Sequence, residues 1–294
     1  GWFFLWRTLM PIKCAAKLNK KIILFGQSIG PFKTKKSRTY TVKILLKCHK
    51  ILLRERLSLS MLERESSKWS NKLALCPDLA FLTTPETVEI CHQIGFKGEV
   101  KKMFGVTIVN WSFPSQSDPE SAKKNYIDNL VDAVKKISIK YEILPLLVPQ
   151  VSVRHHGSSD LDLLFEIQKL LSKQQVQTHV IKNDFSAPQM AGLYGQCEFL
   201  IGTRLHSCIL AATAGVPVIA IRYQGFKTQG IMDDLEMSEF VHDIAFLKSD
   251  DLCKSVGCIF KNYDEIVKKI NKNVKKMRNK LKTISKEIFE QSAL

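Results

Sequence analysis

Several features that would settle a function class at once are missing from this sequence. No run of apolar residues approaches the ~20 needed to cross a bilayer as a helix. Trp2-Phe3-Phe4-Leu5-Trp6 is a short apolar patch without the basic flank and small-residue cleavage site of a signal peptide. The chain opens on Gly1 rather than Met, so we expect a natural N-terminus to be missing. Cysteines at 14, 48, 76, 91, 197, 208, 253 and 258 form no CxxC pair, and zinc spacing is absent. Their scatter within apolar runs such as Ser207-Cys208-Ile209-Leu210 suits buried free thiols in a reducing, cytoplasmic compartment better than a disulfide framework. Internal repeats and low-complexity linkers are also absent. Acidic residues are outnumbered, with 28 Asp+Glu against 44 Lys+Arg and a net charge of +16. That balance favours anionic partners: nucleic acid, acidic lipid or phosphorylated small molecules. A recognition motif and an interleaved aromatic and basic face are lacking, so specific nucleic-acid binding is not expected.

What is present is a globular profile, 45% hydrophobic and 24% charged over 294 residues, enough for two domains or one large one. Short apolar runs punctuated by Gly and Lys predict strands at Ile22–Phe25 and Lys50–Arg54, with a helical stretch over Ser58–Lys68. From Phe104 onward, strand candidates (104–109, 143–148, 179–181, 199–201, 218–221) alternate with helix candidates (122–139, 161–171, 188–194, 207–214). Strict alternation means βαβ units, hence a parallel sheet with helices on both faces. Such sheets bind ligands beyond the carboxyl ends of their strands, so functional residues are sought just after each strand.

The richest segment follows that rule. A buried strand ends at Gly202-Thr203 and a helix starts near His206-Ser207, placing Arg204 and His206 at a strand's carboxyl end beside a helix N-terminus. Backbone N–H groups and the helix dipole favour an anion there. Arg204 adds a donor fork suited to carboxylate or phosphate. Histidine titrates near neutrality, so His206 can serve as a general acid. A purely architectural reading also stands, in which Arg204 pairs with a packing Asp and His206 caps the helix.

Here the sequence resembles the polysaccharide pyruvyl transferase family. Gly202-Thr203-Arg204-Leu205-His206 and Gly215-Val216-Pro217-Val218-Ile219 are similar to its signature. In the same order, Gly26-Gln27-Ser28-Ile29-Gly30-Pro31 resembles its Gly-Gln-x-Ile-Gly-Pro turn, and Arg54-Glu55-Arg56-Leu57-Ser58 its Arg-Asp/Glu-x-x-Ser strand end. Asp78-Leu79-Ala80-Phe81-Leu82, and Lys227 with Asp233-Asp234-Leu235, continue the likeness across roughly residues 20–240. The resemblance implies an α/β fold of two Rossmann-like lobes similar to the GT-B glycosyltransferase fold. It implies transfer of the enolpyruvyl-derived group of phosphoenolpyruvate to sugar hydroxyls as a pyruvate ketal. Phosphoenolpyruvate is then the donor substrate, with no separate cofactor and no metal. Arg204 becomes the donor clamp, Leu205 offers its backbone, His206 transfers the proton, and Arg54 is a second clamp. The family's opening strand with its Asn-x-Gly-Asp/Glu turn is not found. Trp2–Leu18 resembles the helix preceding the Gly-Gln-x-Ile-Gly strand, so the N-terminal lobe is expected to be truncated.

Further candidates surround this site. Gln27 and Ser28 would face the cleft. His155, next to His156, is a candidate contact for acceptor or donor; adjacent histidines point different ways, which argues against a metal, and Asp160 with Asp162 resembles an acidic pair that the family carries here. Tyr223-Gln224-Gly225-Phe226-Lys227 follows the last strand and would line the cleft, where Lys227 would meet a phosphate or solvent. Over Tyr263–Phe289, Ile266, Ile270, Val274, Met277, Leu281, Ile284 and Ile288 form one helical stripe beneath a lysine-rich face. That helix either closes over the core or touches an anionic membrane from the inner face.

The expected plan is a partial N-terminal lobe over 1–100, a donor lobe over 101–260 and a basic amphipathic helix over 261–294. The acceptor would be a sugar or lipid-linked glycan precursor. Two other readings remain open. One is a nucleotide-sugar-dependent glycosyltransferase of similar architecture, for which no ribose-binding glutamate is identified. The other is a truncated, inactive remnant.

Overall fold

The computed structural model describes residues 2–65, 67–69, 71–89, 102–151, 159–225 and 227–290. They fall into two compact units, each with its own parallel sheet. The first holds the described residues within Gly1–Leu79, Gln224–Asp234 and Lys276–Leu294, and the second those within Ala80–Tyr223 and Leu235–Lys275. The chain thus returns to the first unit twice, whereas the sequence reading drew single cuts at 100 and 260.

The first unit opens with α1 (Trp2–Lys17), β1 (Ile23–Gln27), α2 (Lys35–Leu45), β2 (Lys50–Leu53), α3 (Arg56–Glu63) and β3 (Leu73–Leu75). Its strands pair parallel in the order β1-β2-β3. Leu9 and Ile12 of α1, Ile44 and Leu45 of α2, Ile51 and Leu53 of β2, and Leu62 and Trp69 make its core. The helix expected over 58–68 starts two residues earlier and stops at Glu63.

The second unit runs β4 (Met103–Thr107), α4 (Pro119–Tyr141), β5 (Leu144–Leu147), α5 (Asp160–Lys173), β6 (His179–Val180), α6 (Ala187–Tyr194), β7 (Leu200–Gly202), α7 (Leu205–Thr213) and β8 (Val218–Arg222). After α8 (Lys227–Asp234), which belongs to the first unit, come β9 (Val241–Asp243), α9 (Ser249–Lys261) and α10 (Tyr263–Glu290). All strand pairs are parallel, in the order β6-β5-β4-β7-β8-β9. This is the Rossmann order, and it reverses direction between β4 and β7, the place at whose carboxyl ends such sheets bind ligands. Strands β4, β5 and β7 are buried along their whole length, which is why their sequences are continuous apolar runs rather than alternating ones. Phe104 and Phe199 stack at 5.0 Å between centroids, and Phe260 of α9 meets the Phe199 ring edge-on at 5.8 Å.

The stripe on α10 is covered by protein: Ile266, Ile270, Val274, Met277 and Leu281 are all buried, and Ile284 and Ile288 half-buried. The apolar face that a membrane-lying helix would insert is therefore occupied, while Lys268, Lys272, Lys275, Lys276, Lys280 and Lys282 remain exposed. No described helix is long and apolar enough to cross a membrane.

Candidate active site

In the second unit the site is built where β7 gives way to α7. Thr203 N–H donates to the Thr107 carbonyl at 3.1 Å, holding the turn against the end of β4. Ser207 Oγ donates to the Arg204 carbonyl at 2.6 Å, so Thr107 Oγ1, 2.7 Å from Ser207 Oγ, is the donor in that contact. Gly202 is required by the same closeness, since a Cβ there would lie 2.6 Å from Cys208 Sγ. The turn is thereby fixed before any functional side chain is considered.

Arg204 is the residue preceding α7, in extended backbone, and its side chain does not cap the helix. It reaches Asp160, the first residue of α5, with Nη2 2.6 Å from Oδ1 and Nε 3.1 Å from Oδ2. Asp160 is buried and also accepts from Val151 N–H at 3.2 Å. Burial works against the guanidinium charge, but the hydrogen bond and attraction of Asp160 outweigh it and the pKa of Arg204 is raised. The pairing with an Asp anticipated as an architectural alternative is real, and it leaves Arg204 part-exposed in one fixed orientation. Leu205 buries its side chain, so what it presents at the helix start is backbone. His206, one residue further, is exposed.

Tyr126 of α4 supports the turn from below. Its hydroxyl lies 3.2 Å from Thr203 Oγ1 and bonds the backbone of Val109, and burial pushes its pKa up to about 12. At the end of β8, Tyr223 is close enough to Arg204 to help raise its pKa, and packs edge-on against Trp111 at 5.0 Å.

The first unit gathers a second set at the ends of β1 and β2. Arg54 N–H donates to the Gln27 carbonyl at 3.0 Å, and Arg54 Nη1 to Asp78 Oδ2 at 2.6 Å. Ser28 does not point at open space: its hydroxyl donates to Glu55 Oε1 at 2.8 Å. Gln27 is exposed and bonds the Phe25 carbonyl. Ser58, three residues into α3, accepts from Ile29 N–H at 2.9 Å and lies within bonding reach of Glu55. Lys227 begins α8 in this unit, half-buried, and Gly230 of α8 packs so closely that an added Cβ would lie 2.4 Å from Glu55 Cβ. His155 lies outside the described residues. Among those described, no group of three His, Cys, Asp or Glu is arranged to hold a metal ion.

Arg204, Leu205 and His206 are thus brought together in one unit, and Arg54, Gln27, Ser28 and Lys227 belong to the other. Sequence reasoning gave no role to Glu55, the buried hub of the first set, or to Trp111, and it placed Tyr223 only within a stretch expected to line the cleft. It named Asp160 only as one of an acidic pair. The signals were faint: a glutamate two residues past a buried strand, and aromatics within four residues of the ends of two others.

With this geometry established, comparison with known proteins is informative. The sequence profile of the polysaccharide pyruvyl transferase family matches residues 1–225. The amylovoran biosynthesis protein AmsJ of Erwinia amylovora is 23% identical over 275 residues, covering 90% of this chain and 64% of AmsJ. The chain therefore spans just under two thirds of that relative's length. Among solved structures, HepE from Anabaena in complex with UDP and glucose superposes with a TM-score of 0.62 at 11% identity, over 98% of this chain and 75% of HepE. UDP-GlcNAc 2-epimerase from Neisseria meningitidis, bound to UDP-GlcNAc, gives 0.61 at 14% identity, over 96% of this chain and 73% of the epimerase. These likenesses show the fold, two Rossmann-like α/β lobes of GT-B type. The chain belongs to the polysaccharide pyruvyl transferase family.

Proposed function

We propose that this chain transfers the enolpyruvyl-derived group of phosphoenolpyruvate to two hydroxyls of a sugar in a polysaccharide precursor. The observation that carries the reading is Arg204, oriented by buried Asp160 at the amino end of α7, with His206 exposed one residue inside that helix. A guanidinium and a helix N-terminus together suit a small, highly charged anion. The donor must gain a proton at its methylene carbon, which makes the adjacent carbon electrophilic. Two sugar hydroxyls then bond that carbon and phosphate leaves. One hydroxyl proton in effect replaces that taken up by the methylene carbon, and the other departs with phosphate. His206 delivers the first proton, and Arg204 holds the phosphate or carboxylate. The exposed lysines of α10 suit an acceptor carried on anionic lipid.

The test is thermal stability and phosphate release with phosphoenolpyruvate, using inorganic phosphate as control anion. A rise in Tm specific to phosphoenolpyruvate, lost in Arg204→Lys and kept in His206→Ala, is expected. Phosphate release with a competent glycan acceptor should fall by at least about 100-fold in His206→Ala, the scale of general acid catalysis. A second reading, a nucleotide-sugar glycosyltransferase, draws on the fold shared with HepE, whose structure holds UDP and glucose. A Tm rise with UDP-glucose and none with phosphoenolpyruvate would decide for it. A folded chain that responds to neither ligand overturns both readings.

A further inference from the structure

Trp111 follows β4 and Tyr223 follows β8, and these strands flank β7, the strand that delivers Arg204. Their rings meet edge-to-face at 5.0 Å and 62°, and both are only partly buried at the carboxyl edge of the sheet. A core pair of this kind would be buried; large aromatics left part-open at such an edge offer their faces to a ligand. Tyr223 is close enough to Arg204 to help raise its pKa, so the pair lies beside the guanidinium.

The loop carrying Trp111 is held in place. Two residues on, Phe113 is buried with φ +47, a left-handed conformation that a bulky side chain adopts only when its surroundings impose it. Its ring packs at 6.3 Å on Tyr126, whose hydroxyl bonds Thr203, the residue before Arg204. Trp111 N–H closes a tight turn on the Val109 carbonyl at 3.0 Å. Shelf and anion site therefore share one anchor, Tyr126.

We infer that Trp111 and Tyr223 form a carbohydrate subsite that stacks the apolar C–H face of the acceptor's pyranose ring. This identification of the ligand rests on the phosphoenolpyruvate reading of Arg204. If Arg204 holds the donor, the group seated directly beside it is what reacts with the donor, a sugar offering two hydroxyls. A nucleobase would be set apart from the transferred sugar by ribose and a diphosphate and would not sit next to the reacting carbon.

The inference is tested by saturation-transfer NMR of the whole chain with methyl β-D-galactopyranoside and methyl β-D-glucopyranoside, with UDP as counter-probe. Saturation should reach the axial ring protons of at least one glycoside. It should fall by about fivefold or more in Trp111→Leu, partly in Trp111→Phe, and stay unchanged in Trp6→Leu, which removes an unrelated part-exposed indole. The phosphoenolpyruvate-induced Tm rise should persist in Trp111→Leu, which also shows that the variant folds. The subsite is overturned if neither glycoside is saturated, if Trp111→Leu leaves the signal intact, or if only the uracil protons of UDP depend on Trp111. Glycoside saturation that depends on Trp111 in a chain indifferent to phosphoenolpyruvate upholds the subsite and removes the donor reading alone.

Discussion

Arg204 grips Asp160 side-on, Nη2 to Oδ1 at 2.6 Å and Nε to Oδ2 at 3.1 Å, and the carboxylate is almost wholly buried while the guanidinium is part-exposed. The pair is asymmetric: Asp160 orients, and Arg204 is presented. Removing the arginine strands a buried carboxylate, which costs on the order of 3 kcal/mol for buried pairs. Arg204→Ala should therefore lose stability as well as donor binding, and cannot by itself separate the two. Asp160→Asn keeps a carbonyl acceptor in place but loosens the fork. It should melt closer to wild type than Arg204→Ala does, and bind phosphoenolpyruvate about 10-fold more weakly, equivalent to roughly 1.4 kcal/mol. Calorimetric titration with parallel melting curves checks this; unchanged affinity in Asp160→Asn would show that orientation by Asp160 is irrelevant.

Much of this was legible in the sequence. The alternation after residue 104 yields β4 to β8 in order, because buried parallel strands are short apolar runs that few other structures require. Ser186 caps α6 and Pro188 sits in its first turn, residue types that favour those two positions. The turn with Arg204 at a strand's end was found because strand and helix signals meet there. Three helices were not anticipated. α2 is rich in lysine and weakly apolar, and is secured by a Thr34–Ser37 capping box instead. α8 and α9 follow β8, where the reading had already passed to the long basic helix. Asp160 as Arg204's partner was not legible, since 44 positions separate them and only the fold makes them neighbours. Trp111 faces the same obstacle: an aromatic after a strand looks like any loop residue until its neighbour, here Tyr223, is known.

Gly192 sits inside α6, where glycine is a poor helix former. A Cβ there would lie 1.6 Å from the Glu86 carbonyl oxygen, because the preceding segment runs directly over the helix. Glu86 N–H donates to the Pro188 carbonyl at 3.0 Å, and Gln196 Nε2 to the Val88 carbonyl at 2.6 Å. The obstacle is backbone and cannot rotate away. Gly192→Ala should destabilise at or above the top of the roughly 1–3 kcal/mol range for overpacking. Gly202→Ala meets the Cys208 Sγ at 2.6 Å, a side chain that can shift, and should fall lower in that range. Denaturant titration of both variants tests the order; equal losses would mean that the segment over α6 yields easily.

The cysteines divide by environment. Burial pushes the thiols of Cys48 and Cys76 up to about 11 and those of Cys197 and Cys208 up to about 12, while Cys14 and Cys258 are exposed. Thiolate is the reactive form, so the buried four should resist Ellman's reagent at neutral pH until the chain is unfolded. Peptide mapping after brief alkylation should find Cys14 and Cys258 modified and these four protected. Rapid native labelling of Cys208 would mean that the packing of α7 against β7 opens readily, and with it the turn that holds Arg204.

His242 on β9 gives the second unit a pH dependence of definite sign. Its Nε2 lies 2.9 Å from Ser255 Oγ of α9. Burial lowers its pKa from the ordinary 6.5, against a smaller opposing pull from Asp251. His179 is lowered by burial in the same sense. Between the lowered folded value and 6.5 the unfolded chain binds more protons than the folded one, so stability rises with pH across that window. Conversely, it is lost as pH falls from 6.5 through the folded value, because protonation places a charge where burial disfavours it. Melting curves between about pH 7 and 5 should show Tm declining, and His242→Gln, which keeps a polar group for Ser255 but cannot be charged, should flatten the decline. The His179 contribution should remain in that variant. An identical slope in wild type and His242→Gln would show that the β9–α9 contact hydrates on acidification instead of resisting the charge.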